Sequence, residues 1–128
     1  MLADTELDGF ARVSGVLNLM IAEEYEASTE GHAAGCMVVT TRMTPDRGSQ
    51  DPRVARILDR ALGRQLAMLE HAVRAGRFDG SLRPDLDARD TALLVVTLIS
   101  GIRVMAQAGS APEELRRIVA LGLSALTP

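Results

Sequence analysis

Two side chains in the stretch GHAAGCMVVTTRMTPD, residues 31–46, could act as ligands or nucleophiles: His32 and Cys36. A four-residue step puts them on one face of a helix, where an imidazole could activate a thiol or both could hold a metal ion. Two ligands do not complete a zinc site, and the chain has no Cys-x-x-Cys and no clustered second histidine. His71, the other histidine, stands beside Glu70 in a different segment and reads as a boundary residue. Cys36 is the single cysteine, so no internal disulfide can form, and it reads best as a buried thiol acting as a small hydrophobe. Asp51, Asp85, Asp87, Glu113 and Glu114 fall at or near expected helix starts, where the helix dipole favours anions. There is no Gly-rich phosphate loop and no G-x-S-x-G. The expectation is a protein with no catalytic residues, no metal and no cofactor.

Other polar candidates interrupt apolar segments: Thr40 and Thr41 after CMVV, then Thr97, Ser100 and Arg103. A buried hydroxyl can bond to its own helix backbone. Alternatively, these groups are the few polar handles of a mostly apolar pocket, with Met20, Met37, Met43 and Met105 as adaptable walls.

The elements that must position these residues follow from composition. Of 128 residues, 47% are hydrophobic but only 2% aromatic. The core must be aliphatic and Met-containing, which favours helices over sheets. The net charge is −3, and all 14 basic residues are dispersed arginines. Phosphate binding needs clustered positive charge, so this composition argues against a nucleic-acid-binding surface. No basic start precedes an apolar signal segment. The longest apolar-rich run, TALLVVTLISGIRVMA, carries Arg103 and reads as too short and too polar to span a bilayer. A cytoplasmic protein without membrane contact is expected.

Five helical segments emerge. The first runs from about Thr5 to Ser28, with Leu7, Phe10, Val13, Leu17, Met20 and Ile21 at three- and four-residue steps. The second covers about Ala33 to Met43 and stops before Pro45. The third starts at Pro52 behind an Asp51 cap, buries Val54, Leu58, Leu62, Leu66, Leu69 and Val73, and ends before Gly80. Asp87 caps a fourth, about Ala88 to Ala108, whose apolar residues point nearly all the way round. Ser110 caps the fifth, with Glu113 closing a capping box. The last two helices form a hairpin with more apolar surface than one protomer can hide. Two copies would bury that excess as a four-helix bundle. The fold class expected is all-α, a single domain over residues 1–128.

AAGCMVVTT, then the long run from DPRVARILDRALGRQLAMLEHAVRAGRFDGSLRPDLDARD through LISGIRVMAQAGSAPEELRRIVALGLSAL, resembles the C-terminal ligand-binding and dimerisation domain of tetracycline-repressor (TetR) family regulators. Three features carry the likeness: Gly35-Cys36 before an apolar run; Gly80-x-Leu82-x-Pro84-Asp85-x-Asp87 between two long helices; and the apolar fourth helix with Gly101 and Arg103 before Ala108-Gly109. The resemblance implies a repressor in which an N-terminal helix-turn-helix domain binds operator DNA and a small apolar or amphipathic effector enters the C-terminal domain. It also implies a homodimer built on the last two helices. No segment of this sequence supplies a helix-turn-helix, so operator binding is not expected of this chain.

On that reading the opening stretch is a cavity wall. Cys36, Met37, Thr40 and Met43 face Phe10, Leu17 and Met20; Leu62, Leu66 and Leu69 close a third side; and Leu94, Thr97 and Leu98 form the back. The dimer contacts are Val95, Ile99, Ile102, Met105, Leu115, Ile118, Val119, Gly122 and Leu126. A second reading is a pure interaction module that pairs with itself or with a longer regulator and takes no ligand. A third is a small helical enzyme using His32, Cys36 or the acidic residues.

Overall fold

Asp8 starts the first helix: its carboxylate accepts from the Ala11 N–H at 2.7 Å and its carbonyl from the Arg12 N–H at 3.1 Å. The computed structural model describes residues 7–29 and 52–128. Helix α1 spans Gly9–Thr29, α2 Pro52–Asp79, α3 Ala88–Gln107 and α4 Pro112–Ser124. The all-α class expected from composition is the class observed, and the described residues contain no strand. The helix expected over Ala33 to Met43 lies outside the described residues, as do His32, Cys36, Met37, Thr40, Met43 and the Asp51 cap.

Helix α1 packs on all three of the others, and α2, α3 and α4 close round it. Val13, Leu17, Met20 and Ile21 meet Leu66, Leu69 and Val73 of α2, Val95, Ile99 and Ile102 of α3, and Leu115, Val119 and Leu123 of α4 in one core. The start of α1 can approach the end of α2 because Gly9 has no side chain, and Leu82 can pack on α2 because Gly76 has none. A Cβ at Gly9 would overlap the Gly76 backbone, and one at Gly76 would overlap the Leu82 side chain.

The segment GSLRPDLD works as a structural joint. Gly80 takes φ +83°, a left-handed turn that an L side chain disfavours. Leu82 is fully buried, and its N–H donates to the Gly76 carbonyl at 3.0 Å. The Arg83 backbone N–H donates to the Leu126 carbonyl and its Nη1 to the Ala125 carbonyl, which ties the joint to the end of α4. Asp87 caps α3 as expected, accepting from the Asp90 N–H at 2.8 Å.

The cap of α4 falls one residue later than expected. The Ser110 N–H closes the end of α3 on the Met105 carbonyl, after Gly109 turns the chain at φ +98°. Ala111 therefore takes the cap position, and Glu114, not Glu113, accepts its N–H at 2.9 Å. A further correction concerns α3. By length and composition alone, Ala88–Gln107 could cross a membrane, against the expectation that its run is too short and polar. One side of it instead packs against the other three helices.

Candidate functional site

The α3–α4 hairpin has two distinct faces. Val95, Ile99, Ile102, Leu115, Val119 and Leu126 point into the protomer and are buried. The sequence places them at a dimer interface; within the protomer they are buried, and Ile102 and Leu115 also line the cleft between α3 and α4. The outward face carries Leu94, Thr97, Gly101 and Met105 of α3 beside Ile118 and Leu121 of α4. Leu121 is the most open of these at 75% exposure. Of the expected interface residues, Met105 and Ile118 are exposed on this face, and Ile102 and Leu115 line the cleft between the two helices there.

Leu94, Thr97 and Leu98, expected at the back of an internal pocket, instead belong to the outward side. Leu94 is exposed, and the Thr97 hydroxyl donates to the Leu93 carbonyl at 2.8 Å, the backbone bond open to any helical threonine. Leu98 lies half-buried against Gly122, where an added Cβ would sit only 3.1 Å from it. Gly122 thus admits a side chain of its own protomer, whereas an added Cβ at Gly101 meets open space. A shallow cleft of about 150 Å³ between α3 and α4 is lined by Leu98, Gly101, Met105 and Ile118 among others.

The other expected pocket residues among those described lie in the interior. Leu17, Met20, Leu66 and Leu69 are buried in the common core, and Phe10 and Leu62 pack partly buried against it. A larger cleft of about 430 Å³ opens between α1 and α4, lined by Phe10, Ser14, Asn18, Arg116 and Leu123 among others.

Sequence reasoning missed one charged pair. Arg103 Nη1 donates to Glu24 Oε1 at 2.6 Å, joining α3 to α1. Glu24 is 3% exposed and the Arg103 side chain 20%. Glu24 Oε2 and Arg103 Nε are buried without a hydrogen-bond partner among the described residues. A signal was present: Val13, Leu17, Met20 and Glu24 follow one three-and-four-residue stripe, so Glu24 continues the buried face.

At the opposite end of α1, Asp79 ties three segments. Its oxygens accept from the Gly9 and Ser81 N–H groups, each at 2.9 Å, and the Ser81 hydroxyl oxygen accepts from the Phe10 N–H. The hydrogen bond from the Ser81 side chain is the main cause holding the Asp79 carboxyl below its ordinary value, helped by the two backbone N–H groups and the Arg12 charge. Among the described residues, no group of three or more His, Cys, Asp or Glu side chains forms a metal site.

Residues 11–121 match the family model described as Tetracyclin repressor-like, C-terminal domain. The chain belongs to this TetR C-terminal domain family. Its fold is similar to that of the TetR family transcriptional regulator CifR, solved as a cysteine mutant complexed with 26-bp double-strand operator DNA. That likeness has a TM-score of 0.72 at 24% identity and covers 92% of this chain but 59% of CifR. The chain therefore spans less than two-thirds of the regulator it matches. No curated protein sequence matches it. Family and fold together identify a domain of the transcriptional-regulator type.

Proposed function

We propose that this TetR-like chain is the homodimeric sensor domain of a cytoplasmic repressor and performs no catalysis. The observation that carries the proposal is the exposure of Leu94 and Met105 on α3 and of Ile118 and Leu121 on α4, with Met105 and Ile118 lining one shallow cleft between the two helices. Exposed apolar side chains gathered on one hairpin mark an association surface. A second copy suits it, because a twofold pairing of hairpins makes a four-helix bundle in which the same patch covers itself. The interface then consists of Leu94, Thr97, Leu98, Gly101, Met105, Ile118 and Leu121, not of the inward-facing Val95, Ile99, Ile102, Leu115, Val119 and Leu126.

The effector is a small apolar or amphipathic molecule. It acts by linkage: its differential affinity for two protomer arrangements supplies about 1–3 kcal/mol of coupling. DNA contact is made by a helix-turn-helix segment outside the matched residues. The dense packing of Leu17, Met20, Leu66 and Leu69 favours a second reading, an interaction module that dimerises without a ligand.

Native mass spectrometry of the protein as purified tests both readings. A dimer mass with a small-molecule adduct supports the sensor. A dimer without one, unchanged by added apolar compounds, supports the interaction module. A monomer at micromolar concentration removes both.

A further inference from the structure

Helix α2 gathers arginines that lie dispersed along the sequence. Arg53, Arg56, Arg60, Arg64 and Arg74 fall on one row at three- and four-residue steps, with Ala67 and His71 filling the gap, and every one of them is exposed. The row closes on Phe78, which is 96% exposed. No acidic side chain falls on it. Asp59 and Glu70 of the same helix lie about a quarter-turn to one side, and Glu70 pairs with Arg74 and Arg89. Arg56, Arg60 and Arg64 have no ion pair or hydrogen bond among the described residues. Like charges one turn apart repel and weaken a helix, and nothing among the described residues offsets that repulsion. With 17 acidic residues against 14 arginines in the whole chain, the row is a positive band on an acidic molecule.

The shape and composition of the band select its partner. An anionic membrane takes up a helix by its apolar side, and the apolar side of α2 is committed to the core through Leu58, Leu66, Leu69 and Val73. A protein interface is built round an apolar centre depleted in charge, whereas the middle of this row is charged. A nucleic-acid backbone requires neither feature. Its binding runs on neutralised phosphates, and the planar fork of arginine matches phosphate oxygens. From Arg53 to Arg74 the row is about 32 Å long at the rise of an α-helix, close to the roughly 34 Å of one turn of B-DNA.

We infer that the arginine row of α2 binds the phosphate backbone of duplex DNA without reading its sequence. The sensor reading places operator contact in a helix-turn-helix segment, so this surface goes beyond it. It also lies on a different helix from the proposed dimer face, and its test does not depend on dimerisation.

The test measures fluorescence anisotropy of the whole chain with a labelled duplex of arbitrary sequence, about 20 bp or roughly two turns long, across about 20 to 200 mM salt. Saturable binding is expected at about 50 mM salt, weakening steeply as salt rises. Arg60→Gln/Arg64→Gln should weaken binding at least tenfold at about 50 mM salt and make the slope of log K against log salt shallower by about 1.8, since each lost phosphate contact removes about 0.9. Arg116→Gln/Arg117→Gln alters the net charge equally at two exposed positions of α4 and should leave the slope unchanged. All four positions are exposed, and circular dichroism monitors the fold. Equal effects of the two double variants overturn the proposal, because general charge would then explain the binding. So does tighter binding to polyglutamate or to phosphatidylserine vesicles than to the duplex at the same salt, which would assign the row to an acidic protein or a membrane. Absence of duplex binding by the wild type at about 50 mM salt also overturns it.

Discussion

Replacing Leu121 by Glu separates association from folding more cleanly than any other change in the α3–α4 hairpin. Leu121 is 75% exposed, so the protomer depends little on it, whereas a partner covering the outward face would bury it. Fully burying a leucine is worth about 1.5–3 kcal/mol, so three-quarters of that burial contributes about 1–2 kcal/mol per protomer. A twofold interface counts the loss twice, about 2–4 kcal/mol, or a roughly 30- to 700-fold weaker dimer. Burying the new carboxylate adds to the loss, so these figures are a lower bound. Sedimentation velocity across nanomolar to micromolar concentrations measures the dimer constant, and circular dichroism monitors the fold. Leu121→Glu is expected to give folded monomer with an almost unchanged melting temperature. Val119→Glu, at a position 2% exposed, is expected to unfold the chain, because its carboxylate would enter the core. If Leu121→Glu dimerises as tightly as the wild type, the outward face is not the interface and the reasoning fails.

Three further outcomes follow from other contacts. Arg103→Ala should destabilise the fold by about 3 kcal/mol, because it strands the buried Glu24 carboxylate; urea unfolding measures it, and Glu24→Leu/Arg103→Met should recover most of the loss. Gly9→Ala should cost about 1–3 kcal/mol by forcing α1 away from the Gly76 backbone, read as a lowered urea midpoint. The Asp79 carboxyl is held below its ordinary value of 3.8, so its contribution is fully present above that pH and is lost as pH falls through the lower folded value. Asp79→Asn should therefore flatten the decline in melting temperature below pH 4 or so relative to the wild type, and parallel acid curves for the two proteins would refute the assignment.

Much of the architecture was legible without coordinates. Gly80 and Pro84 broke the chain where it breaks, and Asp87 capped where a cap was needed, because these residues act through their own backbone or nearest neighbours. The α4 cap was misplaced by one residue because the Ser110 N–H is already committed to the end of α3, a contact that capping patterns do not weigh.

By itself, then, the sequence determined the helical class, the main helix boundaries and the excess of apolar residues on the last hairpin. It could not phase that hairpin. Val95, Ile99 and Ile102 are as apolar as Leu94, Leu98 and Met105, so periodicity carries no information about which row faces inward. Only tertiary packing decided this: α1, α2 and α4 take one row into the core and leave the other open. The same holds for Glu24, whose partner in the packed structure is an arginine 79 residues away in the chain.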